Sequence, residues 1–314
     1  MPARSVLVTG GAGFIGAAIA RELLARGHAV VVADNLSTGR RENIPPAATF
    51  VEMDLSDRSA YACLDEHDFD TVFHLGAQSS GEASFADPWY DFNSHATATF
   101  LLLDACRRRG VQRFLYASSM SVYGDPEYLP VDEAHPTRPK TFYAAGKLAA
   151  ESYLRLFSTL GVATTAFRMF SVYGPGQNLD NKMQGIASIY LSFILEGRPI
   201  TVKGAKDRFR DLVYIDDVVA AWLAAWDNPA AHGQIYNLGT GAQTTVDALL
   251  QALTDSAGKP NYPVEFAAGT PGDQHGMVAN RAKLTRDLGW TPRVDLRTGI
   301  SRMTQFHIER HQAP

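Results

Sequence analysis

Cysteine is nearly absent: the 314 residues hold two, Cys63 and Cys106, and neither has metal-ligand company at a useful spacing. That excludes a disulfide framework, leaves no metal site to expect, and fits a reducing cytoplasm. Charge of one sign is also lacking. Lys and Arg number 29 against 33 Asp and Glu, a net charge of −4, so nothing draws the chain toward nucleic acid or an anionic membrane. The Arg107-Arg108-Arg109 run reads as a solvated helix end. No apolar run approaches the roughly 18 residues of a membrane span, and no charged-then-apolar leader precedes Val6, so a soluble, non-exported chain is expected. Internal repeats and low-complexity tracts are missing too. What remains is a chain with 46% apolar residues, long enough for one large domain and a smaller lobe.

Short apolar runs at 6–8, 29–33, 49–51, 71–74, 114–117 and 162–167 alternate with amphipathic stretches at 17–26, 90–109 and 143–160. This alternation predicts βαβ crossovers and a parallel sheet covered by helices on both faces, with function at the carboxyl ends of the strands. After Tyr173 the texture changes to a turn-rich loop, Gly174-Pro175-Gly176-Gln177-Asn178-Leu179-Asp180-Asn181, and to irregular elements beyond it. The expected organisation is α/β: a doubly wound, Rossmann-like domain over 1–173, then a smaller C-terminal α/β lobe over 174–314 that holds the substrate. A return of the chain to the main sheet is expected within 211–240, at 211–214 or 234–238.

Gly10, Gly13 and Gly16 follow the first strand and open a helix that begins with Phe14 and Ile15. The first glycine permits a tight turn, the second lets backbone approach a pyrophosphate, and the third lets helix and strand pack closely. Asp34 ends the second strand 18 residues after Gly16. Its carboxylate suits the adenosine ribose hydroxyls and would repel a 2′-phosphate, so NAD is favoured over NADP. Arg40 and Arg41 nearby read as loop charges, with pairing to a 2′-phosphate the other option. Asp54 reads equally as a partner for the adenine amine or as a turn cap.

Tyr143 and Lys147 lie one helical turn apart, 24 residues beyond Ser119. A cation beside a phenol favours the phenolate and lowers its pKa from about 10 toward neutrality, giving a proton acceptor for an alcohol. The spacing alone is common on helices; its company gives it weight.

These residues, with Asn35, Ser37, Gly39, Leu55, the His74-Leu75-Gly76-Ala77 stretch, Asn93 and the Ser118-to-Gly124 segment, resemble the extended short-chain dehydrogenase/reductase superfamily. More narrowly, the chain is similar over nearly its whole length to the NAD-dependent nucleotide-sugar epimerase/dehydratase family, UDP-hexose 4-epimerases above all. Arg168, Tyr173-Gly174-Pro175-Gly176, Arg210-Asp211 and Asn237-Leu238-Gly239 extend the likeness. The resemblance implies nucleotide-sugar metabolism such as polysaccharide biosynthesis, with NAD held through Gly10 to Gly16, Asp34 to Gly39, Asp54-Leu55, Leu75 to Ala77 and Ser118. It implies that Tyr143 deprotonates a sugar 4-hydroxyl, that Lys147 depresses the phenol and binds the nicotinamide ribose, and that Ser119 bonds the reacting oxygen. It puts Asn93 near the nicotinamide; read as a lone Asn, it is a helix cap.

Departures from the pattern narrow the chemistry. Met120 and Ser121 stand where 4,6-dehydratases carry an Asp and a Glu, so dehydration loses its acid and base. On the substrate side Arg210 matches a diphosphate-gripping arginine, Thr270 replaces a second one, and groups near Asn178 are expected to help. Ser171 replaces a familiar Asn. Asp273 is expected on the uridine ribose or, as an ordinary residue after glycine, in a turn. Met277 stands where glucose-restricted relatives have a bulky Tyr, which leans toward UDP-N-acetylglucosamine/UDP-N-acetylgalactosamine interconversion, with UDP-glucose/UDP-galactose open. The other reading is that Met277 only packs and the correspondence slips at Gly276. Alternatives are a 4-epimerase or 4-ketoreductase acting on a dTDP-sugar or UDP-glucuronate and, in another class, a non-catalytic NAD-binding regulator, against which the complete Ser119, Tyr143 and Lys147 set argues. By resemblance the helices at 90–109 and 143–160 pair into a four-helix homodimer interface.

Overall fold

The computed structural model describes residues 3–81, 83–205, 207–269 and 274–312. Its first half alternates strand and helix: β1 (Ser5–Thr9), α1 (Phe14–Ala25), β2 (Ala29–Asp34), β3 (Thr49–Glu52), β4 (Thr71–His74), α2 (Pro88–Phe92), a π-helical turn (Asn93–Thr97), α3 (Ala98–Arg109), β5 (Arg113–Ser119), α4 (Phe142–Ser158) and β6 (Ala163–Met169). There follow β7 (Ser171–Tyr173), α5 (Ile186–Leu195), β8 (Ile200–Lys203), β9 (Phe209–Arg210), β10 (Leu212–Tyr214), α6 (Ile215–Trp226), β11 (Gln234–Leu238), β12 (Thr244–Thr245), α7 (Val246–Ser256), β13 (Val264–Ala267), α8 (Ala282–Leu288) and α9 (Leu296–Gln312).

Seven strands form one parallel sheet in the order β11-β6-β5-β4-β1-β2-β3. Successive residues of a strand point to opposite faces, and both faces are apolar because both are covered. Val6 and Val8 pack with Ile19 and Leu23 of α1 and Trp222 of α6 on one side. Leu7 packs with Leu102 and Leu103 of α3 and Leu154 and Phe157 of α4 on the other. The chain returns to the main sheet at Gln234–Leu238, beside β6, whereas Leu212–Tyr214 pairs with β7 outside it.

Asp211 ties two later segments together. Its buried carboxylate accepts from Thr240 N and Oγ1 at 2.7 and 2.6 Å, from Gly241 N at 2.9 Å and from Ala279 N at 3.0 Å. Among the described residues no helix is long and apolar enough to cross a membrane, and no three His, Cys, Asp or Glu side chains gather as a metal site.

Candidate active site

The site forms where the sheet order reverses. β1 and β4 are neighbours, yet the chain leaves β1 toward β2 and leaves β4 toward β5, so a crevice opens at their carboxyl ends. A cavity of about 240 Å³ lies there. Gly10 holds φ +67°, and a β-carbon on it would sit 2.6 Å from the Gly76 amide nitrogen; only glycine fits. A β-carbon on Gly16 would meet the Gly10 carbonyl carbon at 2.8 Å and Gly11 Cα at 3.0 Å. Gly13 is different: φ −84° and ψ 175° admit any residue, and its β-carbon would meet only the Gly10 oxygen, at 3.1 Å. It lines the cavity and precedes the first turn of α1, whose amides have no capping side chain. Bare backbone and uncapped amides at a helix N-terminus fit a dinucleotide's pyrophosphate.

Asp34 Oδ2 accepts from Ala12 N at 3.0 Å and Oδ1 from Leu36 N at 2.9 Å. Burial pushes this carboxyl above its ordinary value and the two amides pull it back; each oxygen keeps a lone pair for a ribose hydroxyl. Asp54 Oδ1 caps the turn after β3, accepting from Ser56 N and Oγ at 2.8 and 2.7 Å, while the residue also lines the cavity. Phe14, Ile15, Asn35, Ser37, Gly39, Leu55, Leu75, Gly76, Ala77 and Ser118 line it as well. Asn93 does not. It begins the π-turn, where it donates to Trp89 O at 3.0 Å and accepts from Thr97 Oγ1 at 3.3 Å. Tyr90, Ser94 and Ala98 reach the cavity instead.

A second cavity of about 570 Å³ adjoins the first. Tyr143, Ser118, Ser79, Gln177 and Gln184 line both. Ser119, Met120, Ser121 and Phe170 belong to the second, together with a group of cations that the sequence reading met only at Arg210: Lys182, Arg198, Lys203 and Arg208. Arg210 Nη1 donates to Phe209 O at 2.7 Å and His275 O at 3.3 Å. A wall so basic suits a diphosphate.

The segment 177–184 lies along both cavities and is pinned at each side. Ser79 Oγ donates to Gln184 Oε1 at 2.8 Å, Ser80 Oγ to Met183 O at 3.1 Å, and Arg40 to Asn178 Oδ1 at 3.2 Å and to Asp180. Asn178 thus lines the first cavity, not the second. Nothing local in the sequence signals Gln78, Ser79, Gln177 or Gln184, because tertiary structure alone assembles them.

Where the cavities meet, Thr141 caps α4 through Ala144 N at 3.1 Å, and Tyr143 N donates to Ser84 Oγ at 2.8 Å. Lys147 is buried; its Nζ donates to Ala117 O at 2.7 Å and lies 5.0 Å from the Tyr116 ring and 5.8 Å from the Tyr143 ring. Burial pulls this ammonium down to about 7, opposed by the charge of Asp91. Burial pushes the Tyr143 phenol up, with Ser119's hydroxyl pulling it back and Asp91 adding to the rise. The phenol therefore shifts upward, against the depression expected from Lys147, since removing both groups from water disfavours both charges. Behind them, Ser118 Oγ donates to Glu151 Oε1 at 2.6 Å, and Arg168 grips Glu151 at 2.7 and 3.0 Å.

Met277 lies behind the second cavity rather than on its wall: 1% exposed, it packs among Val122, Tyr123 and Phe170, with Met120 against the cluster. Thr270 and Asp273 fall outside the described residues.

Comparison with known proteins agrees with this geometry. A UDP-glucose 4-epimerase of Mycolicibacterium smegmatis is 37% identical over 98% of this chain and 99% of its own length. The structure of a UDP-glucose 4-epimerase from Thermus thermophilus in complex with NAD superposes with a TM-score of 0.91 at 37% identity, over 98% of this chain and 100% of that one. A UDP-N-acetylglucosamine 4-epimerase from Methanobrevibacter ruminantium, in complex with UDP-N-acetylmuramic acid, reaches a TM-score of 0.91 at 28% identity, over 99% and 100%. Residues 6–239 match the model of one family. With the reversal crevice, the glycine turn and Asp34 in place, the chain belongs to the NAD dependent epimerase/dehydratase family.

Proposed function

We propose that this protein is a UDP-sugar 4-epimerase that works through a transient 4-keto sugar. The observation that carries the reading is Tyr143, a wall residue of both cavities, with Ser119 in the second beside it. NAD fits the first cavity, with Gly13 and α1 at its pyrophosphate and Asp34 at its ribose; when bound it supplies reversible two-electron oxidation of an alcohol carbon. Tyr143 accepts the proton of the sugar 4-hydroxyl as that oxygen becomes a carbonyl, and Ser119 donates a hydrogen bond to it. Lys147 favours the phenolate. After the keto sugar turns over, tethered through its diphosphate to Arg210 and the neighbouring cations, Tyr143 returns the proton to the opposite epimer. Met120 and Ser121 offer no carboxylate for dehydration.

For the sugar, the lean toward N-acetylhexosamines now acts through a supporting wall: an unbranched Met277 behind Phe170 and Met120 lets that wall give way to an acetamido group. In this reading residues 1–173 and the returning 211–240 hold NAD, and the rest of 174–314 holds the nucleotide sugar. A homodimer is proposed through α2 to α4, where Trp89 is 70% exposed, Phe92 51% and Phe100 45%. With Cys63 and Cys106 both free, a reducing cytoplasm is the proposed compartment.

The test is incubation without added NAD with UDP-N-acetylglucosamine, UDP-glucose, UDP-glucuronate and a dTDP-hexose, with 4-epimers resolved by NMR. Epimer from a UDP-hexose supports the reading. A protein that contains NAD yet forms no UDP-epimer overturns it, and stoichiometric consumption of added NADH would identify a 4-ketoreductase. Met277→Tyr is expected to harm acetamido substrates selectively; equal loss on both sugar types removes it as a gate.

A further inference from the structure

Asp91 and His95 are both fully buried, on the inner face where α2 runs into the π-turn. Asp91 Oδ1 lies 3.2 Å from His95 Nε2, poorly angled for a hydrogen bond, and neither carboxylate oxygen nor either ring nitrogen has another well-formed bond among the described residues. The His95 ring meets Tyr143 edge-on, 5.2 Å between centroids at 81°. α4 comes this close because Gly146 faces His95: a β-carbon there would stand 2.8 Å from His95 Cβ. A buried, under-bonded carboxylate is costly, and a pair kept only for packing would be better served by apolar groups. Its place where α2 and the π-turn pack on α4, with His95 against the Tyr143 ring, gives it a use.

We propose that Asp91 and His95 are positioning residues for the proton-transfer couple: His95 fixes the Tyr143 ring, and Asp91 supplies the buried counter-charge to Lys147. His95 is held down to about 4, chiefly by burial, so it is neutral near pH 7 and leaves the charge of Asp91 uncancelled. The other titratable groups around the couple are His74 from β4, Tyr116 from β5 and Glu151 from α4, and Glu151 is already engaged by Arg168 and Ser118. The charge of Asp91 raises Lys147 against the pull of burial, and it also raises Tyr143. Removing its charge therefore lets both groups lose their protons at lower pH.

This inference rests on Tyr143 and Lys147 as the acid–base pair of the proposed epimerase, so the test includes a readout that needs no substrate. In Asp91→Asn, purified with its NAD, both limbs of the pH profile of kcat are expected to move down by about one pH unit. The Tyr143 titration, read as the tyrosinate ultraviolet difference between the protein and its Tyr143→Phe version, should move with them. His95→Asn keeps the charge but frees the ring: kcat should fall about tenfold or more, with KM nearly unchanged and both limbs in place. An Asp91→Asn protein with lowered stability but unmoved limbs and titration overturns the proposal. If Asp91→Asn fails to fold, His95→Asn decides: unchanged kcat, or a change confined to KM, refutes it. A titration that moves in a protein without epimerase activity would retain the positioning pair and discard the reaction.

Discussion

The glycine turn makes two demands of different kind, and they separate by mutation. A β-carbon on Gly16 would stand 2.8 Å from the Gly10 carbonyl carbon, where ordinary contact begins at 3.4 Å, and its neighbours are backbone. Relief needs β1's turn and α1 to part by about 0.6 Å or more, and such overpacking costs about 1–3 kcal/mol. In a chain of this size that is a fall in Tm of roughly 5 °C. Gly13→Ala meets one backbone oxygen at 3.1 Å in a conformation any residue adopts. Its loss of stability should stay within about 1 kcal/mol, partly offset by the entropy removed from the unfolded chain. Its methyl, however, enters the cavity wall where pyrophosphate would lie, and a tenfold loss of NAD affinity would correspond to about 1.4 kcal/mol. The assay is Tm by scanning fluorimetry on NAD-stripped protein, with NAD per chain measured enzymatically after purification and reloading. Gly13→Ala should keep the stripped Tm and lose NAD; Gly16→Ala should lose both. Full NAD content in Gly13→Ala, or an unchanged stripped Tm in Gly16→Ala, would refute the argument.

Tyr143→Phe should lower turnover by about 10² to 10⁴-fold while NAD stays bound, measured by NMR turnover and cofactor content. His74, buried between Thr9 Oγ1 at 2.7 Å and Thr99 Oγ1 at 3.0 Å, is held well below its ordinary value by burial. The native state then binds fewer protons than the unfolded one below about pH 6.5, so its contribution is complete above that pH and is lost as pH falls. Urea unfolding should show stability declining between pH 7 and 5, and His74→Gln should flatten that decline. Asp211→Asn replaces an acceptor of four bonds by a group that donates in part, and should cost about 2–4 kcal/mol by the same assay. Trp89→Glu should convert the proposed dimer to monomer in sedimentation, whereas a wild-type monomer would remove that interface.

The strands were legible because a parallel sheet buried on both faces forces apolar runs, as at Val6 to Val8 and Thr71 to His74. The glycine turn was legible because its constraints are local. Asn93 was placed near the nicotinamide by resemblance alone; it starts a π-turn and bonds within its own helix, and Ser94 and Ala98 face the cavity instead. Met277 was expected on the sugar wall but stands one layer behind it, a distinction of depth that spacing does not carry. The sign of the Tyr143 shift depended on burial, which a Tyr and a Lys four apart do not reveal.

The segment 177–184 gives the two cavities a common wall, and a common wall links their occupants. Gln177 and Gln184 border both spaces, so whatever one ligand does to the affinity of the other is returned by the same factor. The pins at Arg40, Ser79 and Ser80 hold that wall to the dinucleotide side. An occupant of either cavity therefore bears on a segment that these bonds tie to the loops after β2 and β4.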